Sequence, residues 1–397
     1  MKLANRIDRI KPSPTMAMAA RARELMGRGI HIVNLGLGEP DFRSPEAASK
    51  AGINAIQAGY TKYTPPSGAD ALKEAIIQKL RIDNHLDYDK KEIIVSCGAK
   101  HTLYNIAQVL FEEGDEVIIP APYWVSYPDQ IRLNDATPVI VETREEDQFL
   151  MTPDQLKKAI TPRTKGIILN SPSNPTGATY RARHYEAFSD HLLAAPIWII
   201  SDEIYEKFLY DDTTHTSIAS LSPDLKRKTI VVNGVSKTYA MTGWRIGYAA
   251  GPREIIGAMA TVQSQSTSNP ASISQKAAAA ALTEGASFVR NMIGEFDKRR
   301  RFMTERLNQI PGIRCPSPAG SFYLFPNVKE IFGKQHKGHE IKSSGELATF
   351  LLEEGEVTTI PGEAFGAEGY LRISYAAPQD VLALGLERIE KAIKKLS

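Results

Sequence analysis

Short, continuously apolar runs alternate with stretches of helical periodicity through the middle of this chain. Six runs are predicted strands: EIIVSC (92–97), DEVIIP (115–120), TPVIVE (137–142), KGIILN (165–170), PIWIIS (196–201) and KTIVVN (228–233). Helical segments separate most of them. Because strands that are apolar on both faces and joined by helices are typical of parallel sheets covered by helices, the pattern predicts an α/β fold with a mostly parallel sheet.

The last third of the chain has a different rhythm. A helical pattern over about 287–309 precedes PSPAGSFYLFP, a helical ELATFLLEEG, the segments TTIPGEAFG and YLRISYA, and a closing helix ALGLERIEKAIKKL. This order predicts a smaller α+β domain. We therefore predict a large ligand-binding domain over 46–285, a small C-terminal domain over 286–397, and an N-terminal segment, 1–45, that packs on the small domain.

Composition and charge narrow the range of partners. Apolar residues make up 42% of the 397, charged residues 24%, and the formal net charge is +2, which is ordinary for a globular protein and does not favour nucleic acid. The KRRR run at Lys298 to Arg301 lies in a helical pattern and is predicted to face solvent. No run approaches the roughly 20 apolar residues of a membrane span, so no membrane association is predicted.

Cysteine usage points to a reducing compartment. Cys97 and Cys315 are the two cysteines, and the sequence contains no CxxC motif. They resemble neither a disulfide framework nor a metal site. We predict a cytoplasmic protein without a metal.

Polar residues follow three of the predicted strands. Asn174 comes after KGIILN, Asp202 after PIWIIS and Lys237 after KTIVVN. Ligands of such sheets bind at the carboxyl ends of the strands, where these side chains should meet. Each residue also has a structural interpretation: an Asx-turn for Asn174, a helix N-cap for Asp202, and a solvated turn for Lys237.

The stretch GVSKTYAMTGWRIG, from Gly234 to Gly247, indicates the chemistry most directly. A lysine entering a cavity at a strand end suits covalent chemistry with a carbonyl group. Ser236 and Arg245, close to Lys237, suit a phosphate. Pyridoxal 5'-phosphate carries both an aldehyde and a phosphate, and it forms a Schiff base with lysine.

Other motifs fit the same ligand, each with an alternative. Gly98 and Ala99 open a predicted helix, whose backbone N–H groups form a phosphate cradle, although many such turns bind nothing. Trp124 could lie against a flat ring or belong to the core. Arg372 alternates with apolar residues and needs an anion, either a substrate carboxylate or an internal Glu. The GLGEPDF loop lacks a third glycine at dinucleotide spacing, but the backbone of Gly38 could meet a carboxylate.

Taken together, these motifs resemble the fold-type I PLP-dependent aminotransferases of class I over nearly the whole chain. Within that family they are most similar to the bacterial aspartate/prephenate aminotransferases, through RIKPSPTMA, LGLGEPDF, YTKYTPPSG, GAKHTLYN, PYWVSYP, NSPSNPTG and SKTYAMTGWRIGY. The resemblance implies the PLP-transferase fold, with a mostly parallel seven-stranded sheet.

The resemblance also implies roles for individual residues. Lys237 would form the Schiff base and carry the proton, Asp202 would pair with the pyridine nitrogen, and Tyr205 would bond the ring oxygen. Further cofactor contacts are implied for Gly98, Ala99, Lys100, Trp124, Asn174, Ser236, Arg245 and, from a neighbouring subunit, Tyr63. Substrate contacts are implied for Gly38, Trp124, Asn174 and Arg372, and for Thr15 and Lys100 at a distal carboxylate. A site shared in this way implies a homodimer.

The activity implied is transfer of the amino group of aspartate or glutamate to a 2-oxo acid such as 2-oxoglutarate, with prephenate as a further acceptor. Aromatic and alanine aminotransferases and C–S lyases of the same fold share the cofactor residues and remain alternatives. A non-catalytic regulator with this fold is disfavoured, because Lys237 is intact and no helix-turn-helix extension is visible.

Overall fold

The chain alternates strands and helices as the hydrophobic pattern predicts. The computed structural model describes residues 3–10 and 14–397, except for the side chains of 14–16. In this part of the chain the helices are α1 (Pro14–Gly27), α2 (Glu46–Gln57), α3 (Asp70–Asn84), α4 (Ala99–Leu110), α5 (Ser126–Arg132), α6 (Pro153–Ala159), α7 (Ala182–Ala194), α8 (Pro223–Lys228), α9 (Arg253–Ser266), α10 (Ser272–Glu284), α11 (Ala286–Leu307), α12 (Ser344–Gly355) and α13 (Gln379–Ile393).

The strands fall into one large sheet and several small ones. They are β1 (Val33–Asn34), β2 (Ile93–Ser96), β3 (Glu116–Ala121), β4 (Thr137–Glu142), β5 (Thr164–Asn170), β6 (Trp198–Asp202), β7 (Thr229–Gly234), β8 (Gly247–Ala250), β9 (Tyr323–Leu324), β10 (Gln335–His336), β11 (His339–Glu340), β12 (Val357–Thr358), β13 (Ile360–Pro361) and β14 (Leu371–Ser374). The six predicted strands correspond to β2–β7, within two residues at each end.

The large sheet has seven strands in the order β2-β8-β7-β6-β5-β3-β4. β8 runs antiparallel to both its neighbours, and the other pairs are parallel. The mostly parallel α/β fold is therefore confirmed. The hydrophobic pattern missed β8, because its sequence GYAA is short and lacks the branched apolar residues that mark the other strands.

Alternate residues of the central strands pack on opposite faces of this sheet. Val231 contacts a cluster that includes side chains of α3 and α10. Ile230 and Val232 belong to a second cluster, with side chains of α4 and α9. Both faces are thus covered by helices, which explains why these strands are apolar at successive positions.

The C-terminal elements form a smaller layered unit around the antiparallel sheet β13-β14-β9. Strand β1, near the N-terminus, pairs in parallel with β12, and the backbone N–H of Ser374 donates to the carbonyl of Leu35 at 2.7 Å. These bonds connect the N-terminal segment to the C-terminal elements. The domain limits near residues 45 and 285 stay a prediction.

The KRRR run differs from the prediction of a solvated face. On α11, Arg299 and Arg300 are only 6% and 2% exposed, whereas Lys298 and Arg301 face solvent. Four successive helical residues spread over roughly 300° of the helix surface, so they cannot all point outward. Arg299 pairs with Asp41 at 2.7 Å, and Arg300 pairs with two aspartates of its own surroundings.

The helices also bear on membrane association. Among the residues that the structure describes, no helix has both the length and the apolar character that crossing a bilayer requires.

Candidate active site

A cavity of about 470 Å³ opens at the carboxyl ends of the central strands. The strand pairing places Asn170, at the end of β5, beside Asp202, at the end of β6. Asp202 in turn lies beside Val232 of β7. The cavity brings together eleven of the predicted site residues: Gly38, Ala99, Lys100, Trp124, Asn174, Asp202, Tyr205, Ser236, Lys237, Arg245 and Arg372.

Lys237 follows β7, and its amine points into this cavity. Its Nζ atom donates to the carbonyl of Gly38 at 2.6 Å. The pKa of Lys237 is lowered to about 8, mainly by burial. The charge of Glu39 raises it, and the charges of Arg372 and Arg245 lower it further. A lysine of ordinary pKa would be almost fully protonated at neutral pH, whereas this one has a fraction of free amine available as nucleophile or base.

The lowered pKa of Lys237 can be measured without any bound ligand. In cofactor-free protein, we expect acetylation of Lys237 by trace acetic anhydride to rise with pH around a midpoint near 8, because only the neutral amine reacts. Peptide mass spectrometry over a pH series gives the profile, with exposed Lys165 of β5 as the reference residue. A midpoint above about 10, the pKa of an unperturbed lysine, would contradict the lowered pKa of Lys237.

Asp202 is a buried carboxyl group at the centre of the cavity wall. Burial raises its pKa to about 6, although the Tyr127 hydroxyl donates to Oδ2 at 2.6 Å and the N–H of Ile204 donates to Oδ1 at 3.2 Å. Its two oxygens therefore have neutral donors as partners. A buried carboxylate in this position is stabilised further by a cationic partner, which a protonated ring nitrogen would provide.

The turn between β2 and α4 forms a concave backbone surface against Arg245. Gly98 has a φ of 90°, and a Cβ atom there would overlap the Arg245 guanidinium. Arg245 Nη2 donates to the carbonyl of Cys97 at 3.3 Å, at the positive end of α4. Backbone N–H groups, a helix N-terminus and an arginine together make a suitable phosphate cradle.

Arg372 of β14 is 4% exposed and has neutral partners. Nη1 donates to Asn174 Oδ1 at 3.0 Å and Nη2 to the carbonyl of Gly36 at 2.8 Å, while Nε has no partner. In the described part of the chain it forms no ion pair, so the alternative of an internal salt bridge is not observed. A buried guanidinium with an open hydrogen-bond donor suits an incoming carboxylate.

Two further side chains shape the cavity wall. Trp124 is half-buried and packs edge-on against Tyr127, with ring centroids 5.3 Å apart. The Lys100 Nζ atom lies 4.9 Å from the Trp124 ring centroid. Burial and the charge of Arg245 both lower the pKa of Lys100. This arrangement puts a cation beside the aromatic wall of the cavity.

The matching family model decides which class of protein this architecture belongs to. The model for "Aminotransferase class I and II" matches residues 30–389, which is most of the chain. The chain belongs to the class I and II aminotransferases.

Several aminotransferases are similar to this chain over their full length. The aspartate aminotransferase of Geobacillus stearothermophilus is 50% identical over 98% of both chains. The aspartate/prephenate aminotransferase of Nitrosomonas europaea is 46% identical over 98% of this chain and 99% of that one. A crystal structure of the aspartate aminotransferase of Rhizobium meliloti matches with a TM-score of 0.97 at 44% identity over all of both chains.

Membership of this family implies pyridoxal phosphate as the cofactor, and the residues present fit it. Because Gly98 has no side chain, the Arg245 guanidinium packs against the turn at the N-terminus of α4, where backbone N–H groups and the guanidinium can meet a phosphate. Asp202 is a buried carboxyl group whose protein partners are neutral donors, and Lys237 has a lowered pKa at the strand end beside it. These three features match the phosphate, the ring nitrogen and the aldehyde of that cofactor.

Among the described residues, two predicted contacts, Gly98 and Tyr63, do not line the cavity. Tyr63 is 89% exposed, and its contact with the neighbouring subunit stays a prediction. The side chain of Thr15 lies outside the described residues.

The residues of the cavity wall that sequence reasoning missed include Tyr127, Asn170 and Tyr323. Asn170 is the last residue of β5 and could have been found by the strand-end rule that found Asp202. Tyr127 lies on the first turn of α5 and belongs to the PYWVSYP motif that also contains Trp124, so that motif could have indicated it. Tyr323 lies in a two-residue strand far along the chain, and no local pattern marks it.

A second cluster of buried charges lies behind Asp202. Glu203, Glu206 and His215 have ligand atoms within 4.8 Å of one another. Burial raises the pKa of Glu206, but the charges of Lys79 and His215 have the larger combined effect, and the resulting pKa is about 2. Asn84 donates to both glutamates, at 3.2 and 2.8 Å. Because protein groups already balance these charges, we interpret the cluster as part of the scaffold.

Proposed function

We propose that this protein transfers the amino group of aspartate or glutamate to a 2-oxo acid such as 2-oxoglutarate, with pyridoxal phosphate as the cofactor. The observation that carries the proposal is Arg372, a buried cation whose acceptors are the neutral oxygens of Asn174 and Gly36. An α-carboxylate would supply the missing anion and engage the free Nε donor.

The residues that we propose to hold the cofactor line the same cavity, except for Gly98, which packs against the lining residue Arg245. We propose Gly98, Ala99, Ser236 and Arg245 for the phosphate, Trp124 for the ring face, Asp202 for the ring nitrogen, and Tyr205 with Asn174 for the ring oxygen. Lys100 also lines the cavity, and we propose it as a further cofactor contact. When bound, pyridoxal phosphate supplies an aldehyde carbon and a ring that withdraws electrons.

Lys237 would move the proton of the reaction. We propose that its Nζ atom removes the proton from Cα of the amino acid, since its lowered pKa provides free amine near neutral pH. Arg372, Asn174 and the backbone of Gly38 would hold the α-carboxylate while the proton moves. Asp202, kept in place by Tyr127, would stabilise positive charge on the ring nitrogen.

A preference for dicarboxylates follows from Lys100. Its ammonium group lies on the Trp124 ring at the cavity wall, where it could pair with a distal carboxylate. Relatives named aspartate aminotransferase support this assignment, and one from Thermus thermophilus (40% identity over 99% of this chain, TM-score 0.93) has been solved with maleate, a dicarboxylate. The Nitrosomonas relative's name supports prephenate as a further substrate. We propose Thr15 as a second contact of the distal carboxylate.

Two substitutions separate the two carboxylate contacts. Arg372→Ala should raise KM for both aspartate and alanine by roughly 30- to 900-fold, because truncating a buried charge partner costs about 2–4 kcal/mol. Lys100→Met should raise KM about 5- to 30-fold for aspartate and leave alanine nearly unchanged, since an ammonium group on a side chain that is only partly shielded from water contributes about 1–2 kcal/mol. Steady-state kinetics with both donors measures this.

The same kinetics test the alternatives. Equal losses for aspartate and alanine in Lys100→Met would contradict the distal role of Lys100. If wild-type protein turned over aromatic amino acids, alanine or cystathionine but no aspartate, the dicarboxylate assignment would be wrong. The aromatic, alanine or C–S lyase alternative would then replace it.

We also propose a homodimer with shared active sites, in which Tyr63 reaches the phosphate bound by the neighbouring subunit. Tyr63 is almost fully exposed, and Ile53 and Ile56 of α2 expose apolar side chains on the surface. Exposed apolar groups of this kind suit an interface between subunits. A monomeric mass in sedimentation would contradict this proposal. Both cysteines are free, which supports the proposed cytoplasmic location.

A further inference from the structure

Tyr323 is a buried tyrosine of the cavity wall with no role assigned so far. It lies on β9, opposite Ser374 of β14, and is 1% exposed. Its hydroxyl oxygen is 2.9 Å from that of Tyr205, and the two rings are edge-on with centroids 5.8 Å apart. Strand β9 of the small sheet thereby contacts Tyr205, three residues after the end of β6 in the large sheet.

The same side chain also contacts two other parts of the site. The Arg372 guanidinium carbon lies 4.5 Å from the Tyr323 ring centroid. A Cβ atom on Gly38, whose carbonyl accepts from Lys237, would lie 3.0 Å from the Tyr323 hydroxyl. Tyr323 therefore packs between the arginine proposed for the substrate carboxylate and the loop that accepts the lysine amine.

The direction of the hydrogen bond between the two tyrosines follows from counting protons. A phenol hydroxyl has one proton to donate and two lone pairs that accept. If the Tyr205 proton is directed to the ring oxygen of the cofactor, Tyr205 can only accept from Tyr323. The nearby guanidinium favours this direction, because a cation at a phenol ring makes its hydroxyl a better donor.

We propose that Tyr323 is a positioning residue, whose hydroxyl donates to Tyr205 and so directs the single Tyr205 proton at the cofactor's ring oxygen. This inference rests on the proposed function. Stabilising the ionised ring oxygen lowers the pKa of the neighbouring nitrogen in the cofactor–lysine linkage. The hydroxyl of Tyr323 would thus influence the titration of the bound cofactor without touching it.

The test is a pH titration of the bound-cofactor absorbance in purified holoenzyme. Tyr323→Phe keeps the ring under Arg372 and removes the donor, so the absorbance pKa should rise by roughly 0.3–1 pH unit. Because the ring remains, KM for aspartate should change less than about twofold. Tyr375→Phe, which removes another buried hydroxyl that donates to the Ser321 carbonyl, is the matched control and should leave the titration unchanged.

A double variant shows whether Tyr323 acts through Tyr205. Tyr205→Phe alone should raise the absorbance pKa, and adding Tyr323→Phe to it should produce no further shift, since the acceptor is gone. An unshifted pKa in Tyr323→Phe, or an equal shift in both backgrounds, would overturn this inference alone. A wild-type protein with no titrating chromophore would overturn the proposed function along with it. Thermal denaturation of each variant establishes that it is folded.

Discussion

Lys237→Ala should reduce transamination by at least about 10⁴-fold while leaving non-covalent binding of pyridoxal phosphate intact. The substitution removes both the nucleophile that would attach to the cofactor and the base that would take the Cα proton. General base catalysis alone contributes roughly 10²–10⁴-fold, and the loss of covalent attachment adds to it. Single-turnover kinetics with aspartate, followed by cofactor absorbance, measures the loss.

The matched control for Lys237→Ala is a lysine outside the cavity. Lys228, at the end of α8, donates to the backbone carbonyls of Leu192 and Ala195 at 3.0 and 2.6 Å. Lys228→Ala should keep wild-type turnover once folded protein is recovered. If Lys237→Ala retained turnover within tenfold of wild type, the assignment of Lys237 would be wrong.

Asp202→Asn should slow the removal of the Cα proton by about 10²–10³-fold with little effect on the fold. Asparagine retains the shape and can still accept from the Tyr127 hydroxyl, but it carries no charge to hold the ring nitrogen protonated. Removing one preorganised electrostatic contact of this kind typically costs about 3–4 kcal/mol. Rapid-reaction kinetics with Cα-deuterated aspartate measures the step directly.

An aspartate far from the cavity provides the control for Asp202. Asp190 is exposed on α7, and Asp190→Asn changes charge by the same amount without approaching the site. We expect wild-type kinetics and isotope effect from it. A rate for Asp202→Asn within threefold of wild type would show that Asp202 does not hold the ring nitrogen.

The residues that sequence reasoning found share a local signal. Asp202 and Lys237 follow continuous apolar strands, and the carboxyl ends of parallel strands share one edge of a sheet, so the amino-acid sequence alone predicts that they lie close together. Arg372 had a comparable signal, because an arginine that alternates with apolar residues needs an anion, either a substrate carboxylate or an internal Glu. The fold shows that, in the described part of the chain, neutral oxygens rather than a Glu accept from it.

The residues that sequence reasoning missed depend on tertiary contacts. Tyr323 reaches Tyr205 across 118 positions of sequence, through a strand only two residues long. The burial of Arg299 and Arg300 depends on the aspartates around them, which the charge run itself does not show. Strand β8 contains no β-branched residue, and its position is determined by its pairing with β2 and β7. Local periodicity contains none of this information.

The measurement that tests the covalent role of Lys237 most directly is borohydride reduction of the purified holoenzyme, followed by peptide mass mapping. Reduction fixes the bond between the cofactor aldehyde and whichever amine holds it. We predict loss of the visible absorbance and a phosphopyridoxyl group on the peptide that contains Lys237. A label on Lys100, which lines the same cavity, or no label on any lysine, would contradict the account.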